Sequence, residues 1–275
     1  MKDLISDKPL VSIILSIYKP DLELLRRSIN SLLNQTYSNI EIVLIEDGLV
    51  SLEKEFIRNL TADCRNIKFI RNDSNLGLTK SLNKGIKKAK GELIARQDAD
   101  DISYPSRIEK QVKKFQENEE LGLLGTWYIV NDSENQIIKK PVGNNKELID
   151  MMFRRNPFCH SSVMIKKSCL HQSGIYNERF ETTQDLDLWF RIAKEFNLDI
   201  LEEVLVERNL GEFSLSHGNK RWIQLFNSLK IRLSARKMFS HLNFPIYKAL
   251  LSFFIGFLIS LSPKFSSYLQ KMYKG

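Results

Sequence analysis

Residues 11–48 read VSIILSIYKPDLELLRRSINSLLNQTYSNIEIVLIEDG and predict a strand, a helix and a second strand. The β-branched run from Val11 to Tyr18 indicates a buried strand, and the turn KPD follows it. The next segment has apolar residues at helical spacing, namely Leu22, Leu25, Ile29, Leu32 and Leu33. A second buried strand, residues 40–48, ends in acidic residues and a glycine. Two strands joined by a helix form a βαβ unit, so we expect a parallel sheet.

This pattern continues along the chain. It predicts strands at 67–71, 92–96 and 161–167, helices around 52–60 and at 78–90, 106–118, 146–153 and 184–196, and a hairpin over 121–140 that turns at Asn131–Asn135. The expected fold class is therefore α/β, with a mainly parallel sheet flanked by helices. Ligands of open α/β sheets collect at the carboxyl ends of the strands, where Tyr18, Asp47 and the aspartates after residue 96 are expected to lie.

Composition excludes several classes of protein. Of the 275 residues, 43% are hydrophobic and 27% are charged, which argues against a disordered chain and against a polytopic membrane protein. The three cysteines show no CxxC spacing, so we expect neither a disulfide framework nor a structural zinc site, and a reducing cytoplasm fits best. The first apolar run follows Asp3 and Asp7 and lacks a small-residue cleavage site, which indicates a strand and not a signal peptide.

The segment ARQDADDIS, residues 95–103, places Asp98, Asp100 and Asp101 within four positions. Like charges this close repel, so either water screens them or a cation lies among them. One alternative is that they only cap the next helix, which Pro105 could open. The spacing Asp-x-Asp, however, directs two carboxylates to one side of an extended segment. Such hard oxygen donors suit Mg²⁺ or Mn²⁺ bound to a diphosphate.

Six segments, in this order and spacing, are similar to the motifs of one enzyme family. They are VSIILSIYKPD, IEIVLIEDG, NDSNLGLTKSLNKGI, GELIARQDADDISYPSRIEKQ, NPFCHSSVMIKKS and TTQDLDLWFRIAK. The chain resembles the family 2 glycosyltransferases of GT-A fold that bacteria use to build capsule, O-antigen or exopolysaccharide repeat units, over roughly residues 10–215. The resemblance implies a GT-A Rossmann-like, mixed and mainly parallel sheet. The catalytic domain would span residues 1–218, with a nucleotide-binding half at about 10–104 and an acceptor-binding half at about 105–218.

The resemblance implies donor-side roles for several residues. Tyr18 stands where family members place a residue beside the uracil ring, and Asp47 stands where an acid accepts an N–H of the base. Read alone, Asp47 followed by glycine indicates a turn instead. Asp98 matches the aspartate near the ribose, and Asp98 and Asp100 match the DxD motif that binds the metal, Mn²⁺ or Mg²⁺. For Asp101 the resemblance implies no role.

Asp185, in TTQDLDLW, matches the catalytic base of the family. The residue before the base is commonly Glu and here is Gln184, which would be a neutral hydrogen-bonding partner at the substrate site. Without the other motifs, Asp185 would be interpreted as an acidic residue that stabilises the N-terminus of a helix. His160 falls in the segment that lines the donor and acceptor cleft, and substrate contact and a structural role are both open. The sequence lacks the His that some relatives have near Leu210, so a histidine metal ligand is not expected there.

Residues 219–275 form a basic tail, which carries ten of the 41 Lys and Arg residues and none of the 33 Asp and Glu residues. The segment 221–239 places apolar residues on one helical stripe, namely Trp222, Leu225, Phe226, Leu229 and Leu233. The apolar segment 249–262 is shorter than the about 20 residues that a spanning helix needs. We therefore expect a C-terminal amphipathic helical extension on an anionic membrane surface. Packing of these helices on the catalytic domain or in a dimer is the alternative, and nucleic acid is not an expected partner.

The resemblance implies a cytoplasmic enzyme that is peripheral on the inner face of the cell membrane. It would be a metal-dependent hexosyltransferase that moves a hexose from UDP-Gal, UDP-Glc or UDP-GlcNAc to a polyprenyl-diphosphate-linked saccharide in surface polysaccharide biosynthesis. One base and a metal-bound leaving group predict single displacement with inversion at the anomeric carbon. Two alternatives stay open: an Asp-x-Asp phosphohydrolase with Asp98 as nucleophile, and a non-catalytic nucleotide-sugar binding protein.

Overall fold

The structure, a computed structural model, describes residues 5–132, 135–210, 220–240 and 246–261. The strands are β1 Val11–Ile17, β2 Ile40–Asp47, β3 Ile67–Asn72, β4 Leu93–Asp98, β5 Ile102–Ser103, β6 Leu121–Asp132, β7 Asn135–Lys139, β8 Met164–Lys166 and β9 Asn197–Asn209. The α-helices are α1 Leu22–Leu33, α2 Ser51–Leu60, α3 Leu78–Lys88, α4 Arg107–Glu117, α5 Asn145–Met152, α6 Lys167–Ser173, α7 Gln184–Ala193, α8 Lys220–Met238 and α9 Ile246–Leu261. A 3₁₀ turn covers His160–Ser162.

One mixed sheet runs through the described part of the chain. Its strands lie in the order β3, β2, β1, β4, β8, β6, β9 and β5, and β7 pairs with β6. The first four strands are parallel, as the βαβ pattern predicts. Strand β8 is antiparallel to both β4 and β6, whereas β6 and β9 are again parallel. The expected α/β class, with a mainly parallel sheet flanked by helices, is confirmed.

The register of the parallel strands brings their carboxyl ends level. Ser16 of β1 pairs with Asp98 of β4, and Asp47 of β2 pairs with Asn72 of β3. Strands β1 and β2 pair over the whole length of β1. The loops that follow these four strands therefore leave the sheet along one edge, which is the edge predicted for Tyr18, Asp47 and the aspartates.

Helices cover both faces of the sheet, which explains why its inner strands are apolar at nearly every position. Along β1, Ile13 and Leu15 are buried in the cluster that includes residues of α1 and α4. The intervening Ile14 is buried in the other cluster, with residues of α3, α5 and α7. Alternate residues of one strand therefore contribute to two core layers.

The prediction of a strand at 161–167 is wrong for the first half of that range. Residues His160–Ser162 form the 3₁₀ turn, and β8 begins only at Met164. The cause is local, because the N–H and the hydroxyl of Ser162 both donate to the carbonyl of Cys159, each over 3.0 Å. These bonds close a turn where the apolar pattern alone indicates a strand.

The predicted hairpin over 121–140 is confirmed. Strands β6 and β7 pair antiparallel from Tyr128 and Lys139 to Asp132 and Asn135. The two residues between the paired ends, 133 and 134, lie outside the described residues. The sequence patterns do not anticipate β5 or α6, which are only two and seven residues long.

Helix α8 packs on the body of the fold. Ile231 and Ala235 of α8, and Phe239 just after it, lie in the same buried cluster as residues of α7. The ring centroids of Phe239 and Phe190 are 6.1 Å apart. The inner face of α8 is therefore part of the core that supports α7.

The other faces of α8 and α9 leave apolar side chains exposed. The two helices contact each other through Trp222 with Phe257 and Phe226 with Phe253, at centroid distances of 5.2 and 5.5 Å. The exposed apolar stripes, one on each helix, consist of Trp222, Ile223, Phe226 and Leu233 on α8 and of Tyr247, Leu250, Leu251 and Phe254 on α9. Neither α8 nor α9, nor any other helix in the described ranges, is long and apolar enough to cross a membrane.

Replacing Gly85 by alanine tests the packing of α3 on the sheet. An added Cβ would lie 2.8 Å from Ile14 Cγ2 and 2.9 Å from Ile45 Cδ1. Alanine favours a helix interior by about 1 kcal/mol, but overpacking costs about 1 to 3 kcal/mol. Gly85→Ala should therefore lower the free energy of unfolding, as measured by urea denaturation followed by circular dichroism.

The double variant Gly85→Ala with Ile45→Val removes one of the two crowded methyl groups. It should be more stable than the sum of the two single changes indicates. Lys87→Ala, on the exposed side of the same helix, is the control and should stay within about 0.5 kcal/mol of the wild type. Wild-type stability of Gly85→Ala would contradict this packing.

Candidate functional site

Asp98, at the end of β4, is fixed from two sides. Its N–H donates to Ser161 Oγ over 3.1 Å, and this hydroxyl donates to Asp98 Oδ2 over 2.7 Å. The other carboxylate oxygen, Oδ1, pairs with the guanidinium of Arg96. Burial would raise the pKa of Asp98, but Arg96 and the Ser161 hydroxyl outweigh it and lower the pKa to about 2. Asp98 is therefore ionised at neutral pH and held in one orientation.

The pKa values of the two aspartates that follow change in the direction opposite to that of Asp98. Burial, and after it the charge of Asp98, raises the pKa of Asp100 to about 6. Burial also raises the pKa of Asp101 well above its ordinary value. Asp101 Oδ1 accepts the N–H of Asn209 over 2.9 Å, and the Asn209 side chain donates to the carbonyl of Asp100 over 2.5 Å. Asp101, for which the sequence indicates no role, therefore joins the acidic loop to β9.

The carboxylates of Asp98 and Asp100 repel each other, and a divalent cation would relieve that repulsion. Their hard oxygen atoms fit Mg²⁺ or Mn²⁺, which proteins commonly bind through one or two carboxylates plus phosphate oxygens of a substrate. Within the described residues, no group of three or more His, Cys, Asp or Glu side chains could hold a metal ion. Two carboxylates of this kind fit a cation that also binds phosphate oxygens of a ligand.

Asp47, at the end of β2, organises the turn that follows β3. Its Oδ1 accepts from Asn72 Nδ2 over 2.9 Å and from the N–H of Leu76 over 2.8 Å, and its Oδ2 accepts the N–H of Gly77 over 3.1 Å. An ionised carboxylate offers about four lone-pair sites. Three are used by the chain, which leaves about one lone-pair site on a side chain that is 1% exposed. A role of Asp47 in forming this turn is therefore compatible with the ligand-binding role that the resemblance implies.

Asp185 lies in the first turn of α7, after a residue with an unusual backbone. Thr183 has φ 64, in the left-handed region that non-glycine residues rarely adopt. Helix α8 holds this loop, because Asn227 Nδ2 donates to Thr182 Oγ1 over 3.2 Å and the Thr183 hydroxyl donates to the carbonyl of Gln224 over 3.4 Å. Burial raises the pKa of Asp185 above its ordinary value. Asp185 is therefore a carboxylate with a strengthened affinity for a proton.

Gln184 and His160 differ in their hydrogen bonding. Gln184 is buried, and its Oε1 has no hydrogen-bond partner in the part of the chain that the structure describes. His160 Nε2 lies 2.7 Å from the hydroxyl of Tyr176. Burial and the nearby charge of Arg96 lower the pKa of His160 to about 3, so its ring is neutral. A neutral imidazole and an unsatisfied amide oxygen suit contacts with hydroxyl groups.

Tyr18, directly after β1, presents its ring to solvent. It is 45% exposed, and the next residue, Lys19, has φ 45. The ammonium of Lys19 lies 5.4 Å from the centroid of the Tyr18 ring. An exposed ring at the ligand edge of the sheet can stack on a planar group.

Three site residues are not found by sequence reasoning: Arg96, Ser161 and Arg208. Arg96 precedes the acidic motif and Ser161 follows His160, so proximity to a motif is their only signal. Arg208 lies near the end of β9, and its charge lowers the pKa values of Asp100 and Asp185, although burial, which raises both, dominates. A charged residue near the end of a buried strand is the available signal for Arg208. Together with Arg96, it supplies positive charge near the aspartates of the candidate site.

Comparison with known sequences gives one consistent result. Residues 12–172 match the profile described as Glycosyl transferase family 2. An uncharacterized glycosyltransferase of Methanocaldococcus jannaschii is 33% identical over 94% of this chain and 91% of that protein. The amylovoran biosynthesis glycosyltransferase AmsE of Erwinia amylovora is 32% identical over 66% of this chain and 68% of that protein. A UDP-Gal:alpha-D-GlcNAc-diphosphoundecaprenol beta-1,3-galactosyltransferase of Escherichia coli is 28% identical over 75% of this chain and 76% of that protein.

Solved structures share the fold at low sequence identity. S. aureus TarS 1–349 in complex with UDP-GlcNAc has a TM-score of 0.66 and 15% identity, over 85% of this chain and 74% of that chain. The mannosyltransferase PcManGT from Pyrobaculum calidifontis, in complex with GDP-Man and Mn²⁺, has a TM-score of 0.62 and 14% identity, over 99% of this chain and 83% of that chain. The GT-A Rossmann-like architecture expected from the sequence is confirmed.

Asp47→Asn tests the turn that this carboxylate holds. One amide N–H of the asparagine would face the N–H of Leu76 or Gly77, so the variant should lose about 1 to 3 kcal/mol of unfolding free energy. Asp63→Asn, at an exposed position, is the control and should change it by less than about 0.5 kcal/mol. Urea unfolding at pH 7 measures both, and equal losses would contradict the role assigned to Asp47.

Proposed function

The chain belongs to glycosyl transferase family 2, and from this membership we propose that it is a metal-dependent, inverting hexosyltransferase. One observation carries the proposal: Asp185 lies close enough to Asp98 for the charge of Asp98 to act on its carboxyl group. Burial is the main cause of the raised pKa of Asp185, and the charge of Asp98 adds to it. A carboxylate pair suited to a cation and a separate proton acceptor in one cleft fit transfer from a phosphate-bearing donor to a hydroxyl acceptor.

The proposed donor is UDP-Gal, UDP-Glc or UDP-GlcNAc. Tyr18 would stack beside the uracil ring, and the remaining oxygen site of Asp47 would accept an N–H of the base. Asp98 would lie near the ribose. The TarS complex with UDP-GlcNAc supports a UDP sugar, because that structure shares this fold.

Asp98 and Asp100 would bind Mn²⁺ or Mg²⁺ on the donor diphosphate. When bound, such an ion supplies a Lewis acid that stabilises the charge of the departing nucleoside diphosphate. The protein prepares this site, because Arg96 and Ser161 hold Asp98 ionised and oriented. Arg208 would add fixed positive charge on the β9 side of the cleft. The presence of Mn²⁺ in the PcManGT structure supports the choice of ion.

Asp185 would act as the base that takes the proton of the acceptor hydroxyl. Its raised pKa makes it a stronger base than an exposed aspartate, and burial is the main cause. General base catalysis contributes roughly 10² to 10⁴-fold in such steps. Gln184 precedes it and cannot serve as a second nucleophilic carboxylate, while Asp187 is paired with Arg191 over 2.8 Å. A single base favours direct displacement with inversion at the anomeric carbon.

The proposed acceptor is a polyprenyl-diphosphate-linked saccharide. The Escherichia coli relative is named for a diphosphoundecaprenol-linked GlcNAc acceptor, and the Erwinia amylovora relative is named for amylovoran biosynthesis. His160 and Gln184 would contact sugar hydroxyls, because one ring is neutral and one amide oxygen is unsatisfied. The product would enter surface polysaccharide biosynthesis, of the O-antigen, capsule or exopolysaccharide type.

With a lipid-linked acceptor, the enzyme would act as a peripheral protein on the cytoplasmic face of the cell membrane. The exposed apolar stripes of α8 and α9 support this location, since apolar side chains at a helix surface partition into a lipid interface. Lys230, Arg236 and Lys237 of α8 are exposed as well, and their charges suit anionic lipids.

The two alternatives agree less well with the site. A phosphohydrolase with Asp98 as nucleophile does not agree with the match of residues 12–172 to glycosyl transferase family 2. A non-catalytic binding protein does not need a proton acceptor, whereas a carboxylate with a raised pKa beside the donor site is typical of catalytic sites.

Substitution of the proposed base and metal ligand tests the reaction. Asp185→Asn should lower kcat by roughly 10² to 10⁴-fold, whereas the control Asp187→Asn, two residues along the same helix, should keep most of the activity. Asp100→Ala should need more Mn²⁺ for the same rate. The assay offers UDP and GDP sugars with a synthetic lipid-diphosphate acceptor and identifies products by mass spectrometry.

Removal of divalent ions with excess chelator should stop transfer, and added Mn²⁺ should restore it. Full transfer in chelator would contradict the metal requirement. Full activity of both Asp100→Ala and Asp185→Asn would contradict the site.

Charged substitutions in the exposed apolar stripes test membrane association. Phe226→Glu with Phe254→Glu should reduce flotation with vesicles that contain anionic lipids, because two apolar contacts are replaced by charges of the same sign as the lipids. Leu52→Glu, at an equally exposed apolar position on α2, is the control and should float as the wild type does. Unchanged flotation of the double variant would contradict the interfacial location.

A further inference from the structure

An asparagine that begins the segment NPFCHSSVMIKKS, and to which the sequence assigns no role, contacts the proposed base. Asn156, in the loop between α5 and the 3₁₀ turn, donates from Nδ2 to Asp185 Oδ2 over 2.7 Å. The two residues are 29 positions apart in the chain. Among the side chains that the structure describes, Asn156 is the one that hydrogen-bonds to this carboxylate.

The amide of Asn156 can make this bond in only one orientation. Its Oδ1 accepts the N–H of Phe158 over 3.1 Å, so the oxygen is directed to the backbone and the amino group to Asp185. A flipped amide would lose the bond to Phe158 and place an oxygen against the carboxylate. The local backbone therefore selects the donor orientation.

The C-terminal helices anchor the segment that carries Asn156. Arg232 of α8 donates from Nε to the carbonyl of Met152 over 2.9 Å and from Nη2 to the carbonyl of Arg154 over 3.2 Å. Ser252 of α9 donates to the same Arg154 carbonyl over 2.6 Å. Asn156 follows two residues later, so its position is set by packed helices.

We propose that Asn156 is a positioning residue, which holds the Asp185 carboxylate ionised and oriented to receive the proton of the acceptor hydroxyl. This inference rests on the function proposed for Asp185. Asn156 acts through Asp185 and makes no assigned contact with substrate. An N–H donated to a carboxylate favours its charged form, and fixing one oxygen directs the other.

Charged and titratable groups from four other parts of the fold face Asp185. Burial raises the pKa of Asp185, Arg208 of β9 lowers it, and Asp98 of β4 raises it. Burial lowers the pKa of Arg232 of α8 to about 10, against the opposing effect of Asp185. Burial raises the pKa of Tyr176, and the charge of Asp185 adds to this. Loss of the Asn156 N–H should act in the same direction as burial, because it removes stabilisation from the charged carboxylate.

The test compares Asn156→Ala and Asn156→Asp with a matched control, Asn145→Ala. Asn145 has the same bonding pattern away from the cleft, since its Nδ2 donates to Asn197 Oδ1 and its Oδ1 accepts the N–H of Leu198, each over 2.9 Å. Carbon-13 NMR of the full chain, without substrate or metal, follows the Asp185 carboxyl, identified by its absence in Asp185→Asn.

In Asn156→Ala the midpoint of this titration should move upward by about 1 to 2 in pH, the equivalent of one hydrogen bond to a charged carboxylate. The upward change should be larger in Asn156→Asp, where a second carboxylate faces the first. Asn145→Ala should leave the midpoint unchanged. Circular dichroism confirms that each variant is folded.

Kinetics give the second readout. In Asn156→Ala kcat should fall by about 10-fold, less than the loss from removing the base itself, with the KM for the donor unchanged. The acidic limb of the pH profile should move to higher pH, because the base must be ionised to act. Asn156→Asp should regain activity as the pH rises.

An unchanged Asp185 titration in both Asn156 variants would overturn the inference. A loss of kcat that is equal at every pH and matched by Asn145→Ala would also overturn it, as expected for a purely structural residue. Absence of sugar transfer by the wild type, with the titration still shifted, would instead overturn the proposed function.

Discussion

A single buried guanidinium connects the elements that build the cleft. Arg107, the first residue of α4, is fully buried, and burial lowers its pKa to about 9, which still leaves it charged at neutral pH. Its acceptors are Gln97 Oε1, Ser103 Oγ, Gln111 Oε1 and the carbonyl oxygens of Arg96 and Val163, at 2.7 to 3.2 Å. They lie on β4, on β5, on α4 itself and between the 3₁₀ turn and β8. A buried charge is stable only when its donors are satisfied in this way, so these segments must keep their relative positions for the acidic loop to form.

The parallel half of the sheet is predictable mainly because β1, β2 and β4 are buried on both faces. Continuous β-branched runs separated by helical spacing leave few other structures, and β1 to β4 lie where the patterns place them. Strand β5 is different, since two residues carry no periodicity and the strand exists only through its pairing with Glu207 and Val206 of β9. The 3₁₀ turn before β8 is closed by hydrogen bonds from the N–H and the hydroxyl of Ser162. A hydrophobic pattern does not detect such bonds.

The sequence points to several residues of the candidate site, but it indicates neither their charge states nor the presence of Arg96, Ser161 and Arg208. Spacing indicates that Asp98 and Asp100 lie close together, yet the pKa of Asp98 is lowered to about 2 and that of Asp100 is raised to about 6. Burial acts on both; Arg96 and Ser161 lower the pKa of Asp98, whereas the charge of Asp98 raises the pKa of Asp100. Ser161 reaches Asp98 from 63 positions away, and Asn156 reaches Asp185 from 29. Contacts between residues this far apart in the sequence depend on the completed fold, so a local sequence pattern does not predict them.

Helix α8 contacts the surroundings of Asp185 at two places. Asn227 holds Thr182, just before α7, and Arg232 holds the backbone from which Asn156 extends. The helix that carries an exposed apolar stripe is thus also part of the scaffold of the cleft. During evolution such a tail cannot be exchanged between related enzymes as an independent module. A recombined chain would keep the geometry of the site only if the new helix had the same inner-face contacts as α8. The residues on its outer face could differ.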